Sequence, residues 1–212
     1  MKFLKYFIEF IIIILLFIFF KILGFKFASN LGGQIGKLFG PFFRSKKKLL
    51  SNIKKALPNL DEENIKLIIK KMWTNYGRLL SEYMFIKDFR NSKLEKFFVV
   101  DGQEILDELN NSKEQVIFVS GHFNNFELMA MQIEKSGIDL AAIYRPLNNI
   151  FLNVIMEKIR KKHICKNQIK KGRSGTRELL EFFYKKHSIA LMIDQRVTEG
   201  IKSNFFGDLA ST

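Results

Sequence analysis

A histidine and a glutamate, His122 and Glu127, are the residues of this sequence best suited to chemistry, in the stretch SGHFNNFELMAM. On one regular helix their offset of five residues would place the two side chains about 140° apart, so they would not meet. They can meet if His122 lies in a turn between a strand and a helix and Glu127 lies in the first turns of that helix. The carboxylate would then hold one imidazole nitrogen, and the other nitrogen could remove a proton from a hydroxyl group.

Other kinds of chemistry are disfavoured for this stretch. The sequence has no HExxH pattern and only one cysteine, Cys165, so we expect neither a metal site nor a bound cofactor. Ser120 lacks the GxSxG surroundings of a nucleophilic serine. The predicted chemistry is therefore general-base activation of a hydroxyl acceptor, without a covalent intermediate on the protein.

The elements that must position these residues begin near residue 96, where short apolar runs alternate with helical patterns. Apolar strands that alternate with helices predict an α/β fold, with a mainly parallel sheet flanked by helices. In such a sheet the ligand lies beyond the carboxyl ends of the strands. The predicted strands are residues 97–100, 115–120, 140–144 and 188–193, and the predicted helices are residues 103–109, 126–135, 150–162 and 176–186.

Three of the predicted strands are followed by polar side chains. His122 follows the second strand, Arg145 follows the third, and Asp194 follows the last. Because parallel strands bring their carboxyl ends to the same edge of a sheet, we expect these three side chains to form one site.

A long amphipathic helix is predicted before the sheet. Asp61 can cap its start, and two further acidic residues, Glu62 and Glu63, lie in its first turn. Apolar residues then recur at three- and four-residue spacing from Ile65 to Tyr83, so we expect the helix to extend to about residue 86.

The N-terminal segment is predicted to be a membrane anchor. Residues 10–20 are apolar without a break, and residues 6–25 would form a helix of roughly 30 Å, long enough to cross a bilayer. A cleaved signal peptide is an alternative, disfavoured because residues 27–29 make a poor cleavage site. A buried core helix is another, disfavoured because apolar side chains cover every face.

The formal net charge of +14 is concentrated next to that segment. No acidic residue lies between Glu9 and Asp61, whereas nine basic residues do. Such a charge could suit nucleic acid, a membrane or an acidic protein, but its position favours an anionic membrane surface and not nucleic acid. Because the larger cluster of basic residues follows the anchor, the positive-inside rule predicts that the rest of the chain is cytoplasmic.

The order of motifs along the chain is characteristic. The H-x4-E pair is preceded by NIKKALP at residues 52–58 and followed by YRPLNN at residues 144–149, by DQ at residues 194–195 and by FFG at residues 205–207. Together with the N-terminal apolar segment, this order resembles the lipid A biosynthesis acyltransferases of the lauroyl and myristoyl type, over nearly the whole chain. That family usually continues for several tens of residues beyond FFG, so we expect the C-terminal part of the fold to be missing from a chain that ends at Thr212.

The resemblance implies transfer of a fatty acyl group from an acyl carrier protein thioester to the hydroxyl of a hydroxyacyl chain on a lipid A precursor. It also implies a bacterial inner membrane protein whose catalytic domain lies on the cytoplasmic side. By position, His122 and Glu127 match the catalytic pair of the family, and Arg160 and Asp194 match two further functional residues. Arg145 matches the arginine of YRP, and either arginine could bind phosphate or stabilise an oxyanion. The remaining substrate-binding candidates, in the same motifs, are Asn148, Asn149 and Gln195.

Two alternatives stay open. A glycerolipid acyltransferase shares the H-x4-[DE] logic, although it usually carries H-x4-D and a separate phosphate-binding motif. A basic membrane-surface binding module without enzymatic activity would use residues 1–60 and would have no use for polar residues at three strand ends. For the acyltransferase that the motifs favour, we expect an anchor at residues 1–26, a basic helical membrane-proximal region at residues 27–95 and an α/β acyltransferase core at residues 96–212, truncated at its C-terminal end.

Overall fold

The computed structural model of the chain describes residues 2–194, 200–205 and 207–211. The chain divides into two units, Met1–Lys87 and Asp88–Thr212, which are described separately. Over its described residues the first unit is built from helices, and the second contains a parallel sheet with helices packed on it.

The first unit begins with α1 (Lys2–Leu23), a helix long and apolar enough to cross a membrane by its length and composition. Over most of its length its large apolar side chains are exposed. Near its C-terminal end Phe17 and Phe20 are buried, and Lys21 Nζ lies 4.6 Å from the centre of the Phe85 ring. The helix is therefore attached to its own unit at that end.

The start of the long amphipathic helix is confirmed, because Asp61 Oδ1 accepts a hydrogen bond of 2.8 Å from the backbone N–H of Asn64. The helix ends at Glu82, four residues before the predicted end, where a 3₁₀ turn replaces it. The elements of this region are α2 (Phe25–Phe39), a 3₁₀ turn (Gly40–Phe43), α3 (Lys46–Ala56), α4 (Glu62–Glu82), a 3₁₀ turn (Tyr83–Phe85) and α5 (Ile86–Arg90).

Helices α2 and α4 pack closely because glycines line their contact. A Cβ added at Gly36 would lie 2.7 Å from the Cα of Gly77, and one added at Gly32 would lie 2.6 Å from the Gly77 carbonyl oxygen. Both separations are shorter than real Cβ contacts allow. The absence of side chains at these glycines thus lets the two backbones approach to a distance that any larger residue would prevent.

The second unit contains a four-stranded sheet whose strands are all parallel, which confirms the predicted α/β class. Its elements are α6 (Gln103–Ser112), β1 (Ile117–Ser120), α7 (Glu127–Lys135), β2 (Leu140–Tyr144), α8 (Ile150–His163), β3 (Asn167–Lys170), α9 (Arg173–Tyr184) and β4 (Ser188–Met192), followed by an antiparallel pair, β5 (Lys202–Phe205) and β6 (Asp208–Ser211).

The strand order in the sheet is β1-β4-β2-β3, so the last parallel strand lies between the first two. A core cluster forms where Ala141, Ile169 and Ile189 of three strands meet Leu179 of α9. Since side chains alternate between the faces of a strand, Ala142 and Tyr144 point to the opposite face from Ala141.

Two sequence predictions differ from the structure. Residues 97–100 are not a strand: a 3₁₀ turn ends at Phe97, and Val99 that follows is 93% exposed, so this short apolar run is not part of the core. The sequence does not predict strand β3, because its residues NQIK are mostly polar. It lies at the edge of the sheet, where Ile169 is its one buried residue.

Candidate active site

The side chain of His122 is held by Asp194. Strands β1 and β4 pair with Ser120 opposite Met192, so the segments that follow them emerge side by side. Asp194 Oδ2 accepts a hydrogen bond of 2.7 Å from the backbone N–H of His122, and Asp194 Oδ1 lies 2.7 Å from Nδ1 of the ring. A carboxylate on Nδ1 selects the tautomer in which Nε2 carries the lone pair, and this is the form that can accept a proton.

The electrostatics of Asp194 agree with this geometry. Partial burial raises its pKa, but the hydrogen bonds from the backbone and the ring of His122 outweigh burial, and the pKa is lowered from its ordinary value. Asp194 therefore remains a carboxylate near neutral pH. The edge of the Phe126 ring contacts the imidazole, with ring centres 4.6 Å apart, and this contact further restricts its orientation.

The carboxylate on Nδ1 of His122 is a different one from that favoured by the sequence. The sequence interpretation gives an imidazole nitrogen to Glu127, whereas in the structure the carboxylate on Nδ1 belongs to Asp194. The physical reason is the strand order: β4 lies next to β1, and this pairing carries Asp194 to the turn that contains His122.

Glu127 forms an ion pair with Arg160. It is the first residue of α7 and is 7% exposed, and its Oε1 accepts hydrogen bonds from both Nε (2.9 Å) and Nη2 of Arg160 in the last turn of α8. Both side chains are largely removed from water, with 13% of the Arg160 side chain and 8% of the Glu127 side chain exposed. Two hydrogen bonds to one buried carboxylate fix the position of the guanidinium.

Tyr144 contacts this arginine, and Glu157 in turn binds Tyr144. The Arg160 guanidinium lies 5.6 Å from the centre of the Tyr144 ring, and the Tyr144 hydroxyl donates a hydrogen bond to Glu157 Oε1. Asn153 donates to the same oxygen at 2.8 Å, and Lys170 Nζ lies 3.4 Å from it. Burial, reinforced by Glu157, raises the pKa of Tyr144, so the phenol stays protonated.

The sequence reasoning missed this support, although a signal for it exists. Asn153, Glu157 and Arg160 recur at spacings of four and three residues, and they therefore share one face of α8.

A cavity of about 490 Å³ lies beside these residues, within the size range of small-molecule sites. His122, Glu127, Arg160 and Arg145 all line it. Arg145 is exposed, as are two further basic residues of the lining that the sequence reasoning did not select. These two are Lys171 and Arg173, and the apolar part of the lining includes Phe118, Met129, Ala130, Ala142, Ile164 and Met192.

The other predicted residues have different surroundings. The Asn149 side chain caps α8, accepting hydrogen bonds from the backbone N–H groups of Phe151 and Leu152 at 3.1 and 3.2 Å. Asn148 is exposed. Gln195 lies outside the residues that the structure describes.

The chain matches a model of a known protein family. A family model described as "Bacterial lipid A biosynthesis acyltransferase" covers residues 1–212. No curated protein matches the chain. The family match confirms the resemblance found in the order of the sequence motifs and disfavours the glycerolipid and non-enzymatic alternatives.

Proposed function

Since the chain belongs to the bacterial lipid A biosynthesis acyltransferase family, we propose that it transfers a fatty acyl group from an acyl carrier protein thioester to a hydroxyacyl chain of a lipid A precursor. The observation that carries this proposal is the position of His122. Its ring is oriented by Asp194, and it lines a partly apolar cavity together with the Glu127–Arg160 pair.

In the proposed reaction Nε2 of His122 removes the proton of the acceptor hydroxyl as the hydroxyl oxygen attacks the thioester carbonyl. The new C–O bond forms, the C–S bond breaks, and the imidazolium returns its proton to the departing thiolate. Asp194 orients the ring and stabilises its positive charge while the proton is held. The lowered pKa of Asp194 supports this role, because only the ionised carboxylate can do both.

We assign the two arginines to different tasks. Arg160 is a fixed, largely buried cation, and such a cation is suited to stabilising the negative charge that develops on the thioester oxygen. Arg145 is exposed and lines the same cavity, a setting better suited to a phosphate of the acceptor. The apolar lining residues would contact acyl chains, and Asn148 and Gln195 stay candidates for substrate binding.

We further propose that the protein acts at the bacterial inner membrane, with its catalytic part on the cytoplasmic side. The length and composition of α1 support an anchor at residues 1–26. The basic residues that follow it support a membrane-proximal region at residues 27–95 and a cytoplasmic core at residues 96–212, by the positive-inside rule. The acidic surface typical of acyl carrier protein would be attracted to the same basic region.

The test is a direct acyl-transfer assay with radiolabelled acyl carrier protein thioester and a lipid A precursor. We expect His122→Ala to lower the rate by at least about 10²-fold, because it removes the general base. His163→Ala is the matched control, since His163 ends α8 and does not line the cavity. Activity of the His122→Ala variant equal to wild type would refute the mechanism, and preference for a glycerol phosphate acceptor would refute the substrate assignment.

A further inference from the structure

The first unit exposes four large apolar side chains where α2 ends. They belong to α2 and to the 3₁₀ turn that follows it, and we call them the apolar tip. The chain stays exposed from Pro41 to Lys48, through the last three residues of the turn and into α3. The tip consists of Leu38, Phe39, Phe42 and Phe43, with exposed fractions of 66%, 52%, 84% and 83%.

The backbone that carries the apolar tip is fixed by packing. Gly40, in the middle of the tip, is buried, and a Cβ added to it would collide with the indole ring of Trp73 in α4. Gly36, one turn earlier, is pressed against Gly77 in the same way. The exposure of the phenylalanines is therefore a property of a well-packed turn, in which the glycines face the unit and the large side chains face away from it.

Basic residues surround the apolar tip. Lys37 precedes it, and Arg44 follows it directly, and both are exposed. No acidic residue occurs in the sequence from residue 10 to residue 60, so nothing in this stretch offsets the positive charge. The other flanking cations, all exposed at the start of α3, are Lys46, Lys47 and Lys48.

We propose that the apolar tip inserts into the interfacial layer of a bilayer that contains anionic lipids, as a second membrane contact besides α1. Phenylalanine and leucine side chains flanked by lysine and arginine are typical of segments that lie in this layer, where the rings enter the acyl boundary and the cations meet the headgroups. An acidic protein could pair with the cations but would not require four exposed apolar side chains. The same unit also carries α1, a helix long and apolar enough to cross a membrane, and this too favours lipid.

Insertion of the tip would restrict how the first unit lies on the membrane. A single spanning helix allows the attached unit to rotate about the helix axis and to tilt, whereas a second contact fixes both. This proposal rests on the proposed membrane anchor and is independent of the chemistry at His122.

The experiment uses full-length protein labelled at single cysteines with the environment-sensitive fluorophore NBD and reconstituted into phosphatidylcholine vesicles with and without phosphatidylglycerol. The native Cys165 is fully buried, and burial raises its thiol pKa to about 12, so it will not compete for the label. Phe43→Cys and Phe42→Cys report on the tip, and Leu15→Cys reports on α1. Glu108→Cys, on the exposed acidic side of α6, is the control that should stay in water.

We expect blue-shifted emission at positions 42 and 43, and about a twofold loss of that emission when lipids carry a nitroxide near the headgroup, as insertion to interfacial depth requires. The loss should be smaller without the anionic lipid. Emission at position 43 equal to that at position 108 would overturn the proposal. So would blue-shifted emission that lipid nitroxides do not quench, because it would show that protein covers the tip. Quenching at position 15 without quenching at position 43 would retain the anchor and reject the tip.

Discussion

Asp194 contacts His122 at two points, with one carboxylate oxygen 2.7 Å from the backbone nitrogen and the other 2.7 Å from Nδ1 of the ring. The two residues are 72 positions apart in the sequence, and they meet because β1 and β4 are neighbours in the sheet. A double contact of this kind fixes both the position of the turn and the rotation of the imidazole within it.

The first prediction concerns the carboxylate itself. Asp194→Asn keeps the size of the side chain, but an amide can donate to Nδ1 and thereby favour the wrong tautomer. We expect acyl transfer to fall by about 10²-fold or more, with little change in KM for either substrate. Asp139→Asn is the control, an exposed aspartate just before β2. The loss typical of removed base catalysis is about 10²-fold. A rate for Asp194→Asn within about threefold of wild type would therefore show that the contact with His122 has a structural role and no catalytic one.

The second prediction concerns acid stability. Because the pKa of Asp194 is lower in the folded chain than its ordinary value of 3.8, the ionised form stabilises the folded state. That stabilisation is complete above about pH 5 and is lost as the pH falls through the lowered native pKa. The unfolding temperatures of wild type and Asp194→Asn should therefore converge between about pH 5 and pH 2. A gap that stays constant over this range would contradict the prediction.

The third prediction separates the stability of the Glu127–Arg160 pair from its role in catalysis. Glu127→Leu leaves a buried guanidinium without its carboxylate and should destabilise the chain by about 3 kcal/mol. The double variant Glu127→Leu, Arg160→Met should recover most of that stability, because it removes both buried charges, yet stay inactive. Denaturant unfolding and the acyl-transfer assay measure the two effects. An active double variant would show that Arg160 has no part in the reaction.

The fourth prediction treats Tyr144 and Glu157 as positioning residues. Tyr144→Phe keeps the ring beneath Arg160 and loses the hydrogen bond to Glu157, so we expect a loss in kcat of only about fivefold, the equivalent of roughly 1 kcal/mol. Tyr144→Leu also removes the cation–π contact and should lower kcat by a further factor of about five. KM should stay unchanged in both variants. Equal kcat values for the two would show that the ring does not position Arg160.

The fifth prediction concerns the contact between α2 and α4. Gly77→Ala places a methyl group against the backbone of Gly32 and Gly36, so it should destabilise the first unit by about 1–3 kcal/mol. Gly33→Ala is the matched control, because its added Cβ would meet side-chain atoms, Thr74 Cγ2 at 3.1 Å and Arg78 at 3.2 Å, where Gly77→Ala meets backbone. Thermal unfolding of the two variants in detergent compares them. Because alanine has a higher helix propensity than glycine at both positions, a loss at position 77 can come only from the close approach. Equal stabilities of the two variants would contradict the prediction.

Much of the fold could be predicted from local patterns. The apolar runs around β1, β2 and β4 are strong enough to identify these strands, and Asp61 marks the start of α4 at the correct residue. The run at residues 97–100 is as apolar as a true strand, but it pairs with none of the strands in the part of the chain that the structure describes, and pairing is a tertiary property. Strand β3 shows the reverse case, since its position at the edge of the sheet removes the need for apolar residues.

The pairing of site residues could not be predicted in the same way. His122 and Glu127 are close in sequence, so a local contact between them is the natural first expectation. Which carboxylate holds Nδ1 depends on strand order, and strand order is not encoded in any one segment. The expectation that residues following parallel strands share one edge of the sheet does not depend on strand order. His122 and Asp194 do meet at that edge.

The position of β4 between β1 and β2 also has a consequence for how the chain folds during synthesis. When residues up to about 187 have left the ribosome, β1 and β2 have been synthesised, but β4, which lies between them and pairs with both, has not. The central sheet must therefore wait for β4, a non-local step of the kind that slows folding. Insertion of β4 completes the sheet and brings Asp194 to His122 in the same event, so the imidazole becomes oriented only once the central sheet is complete.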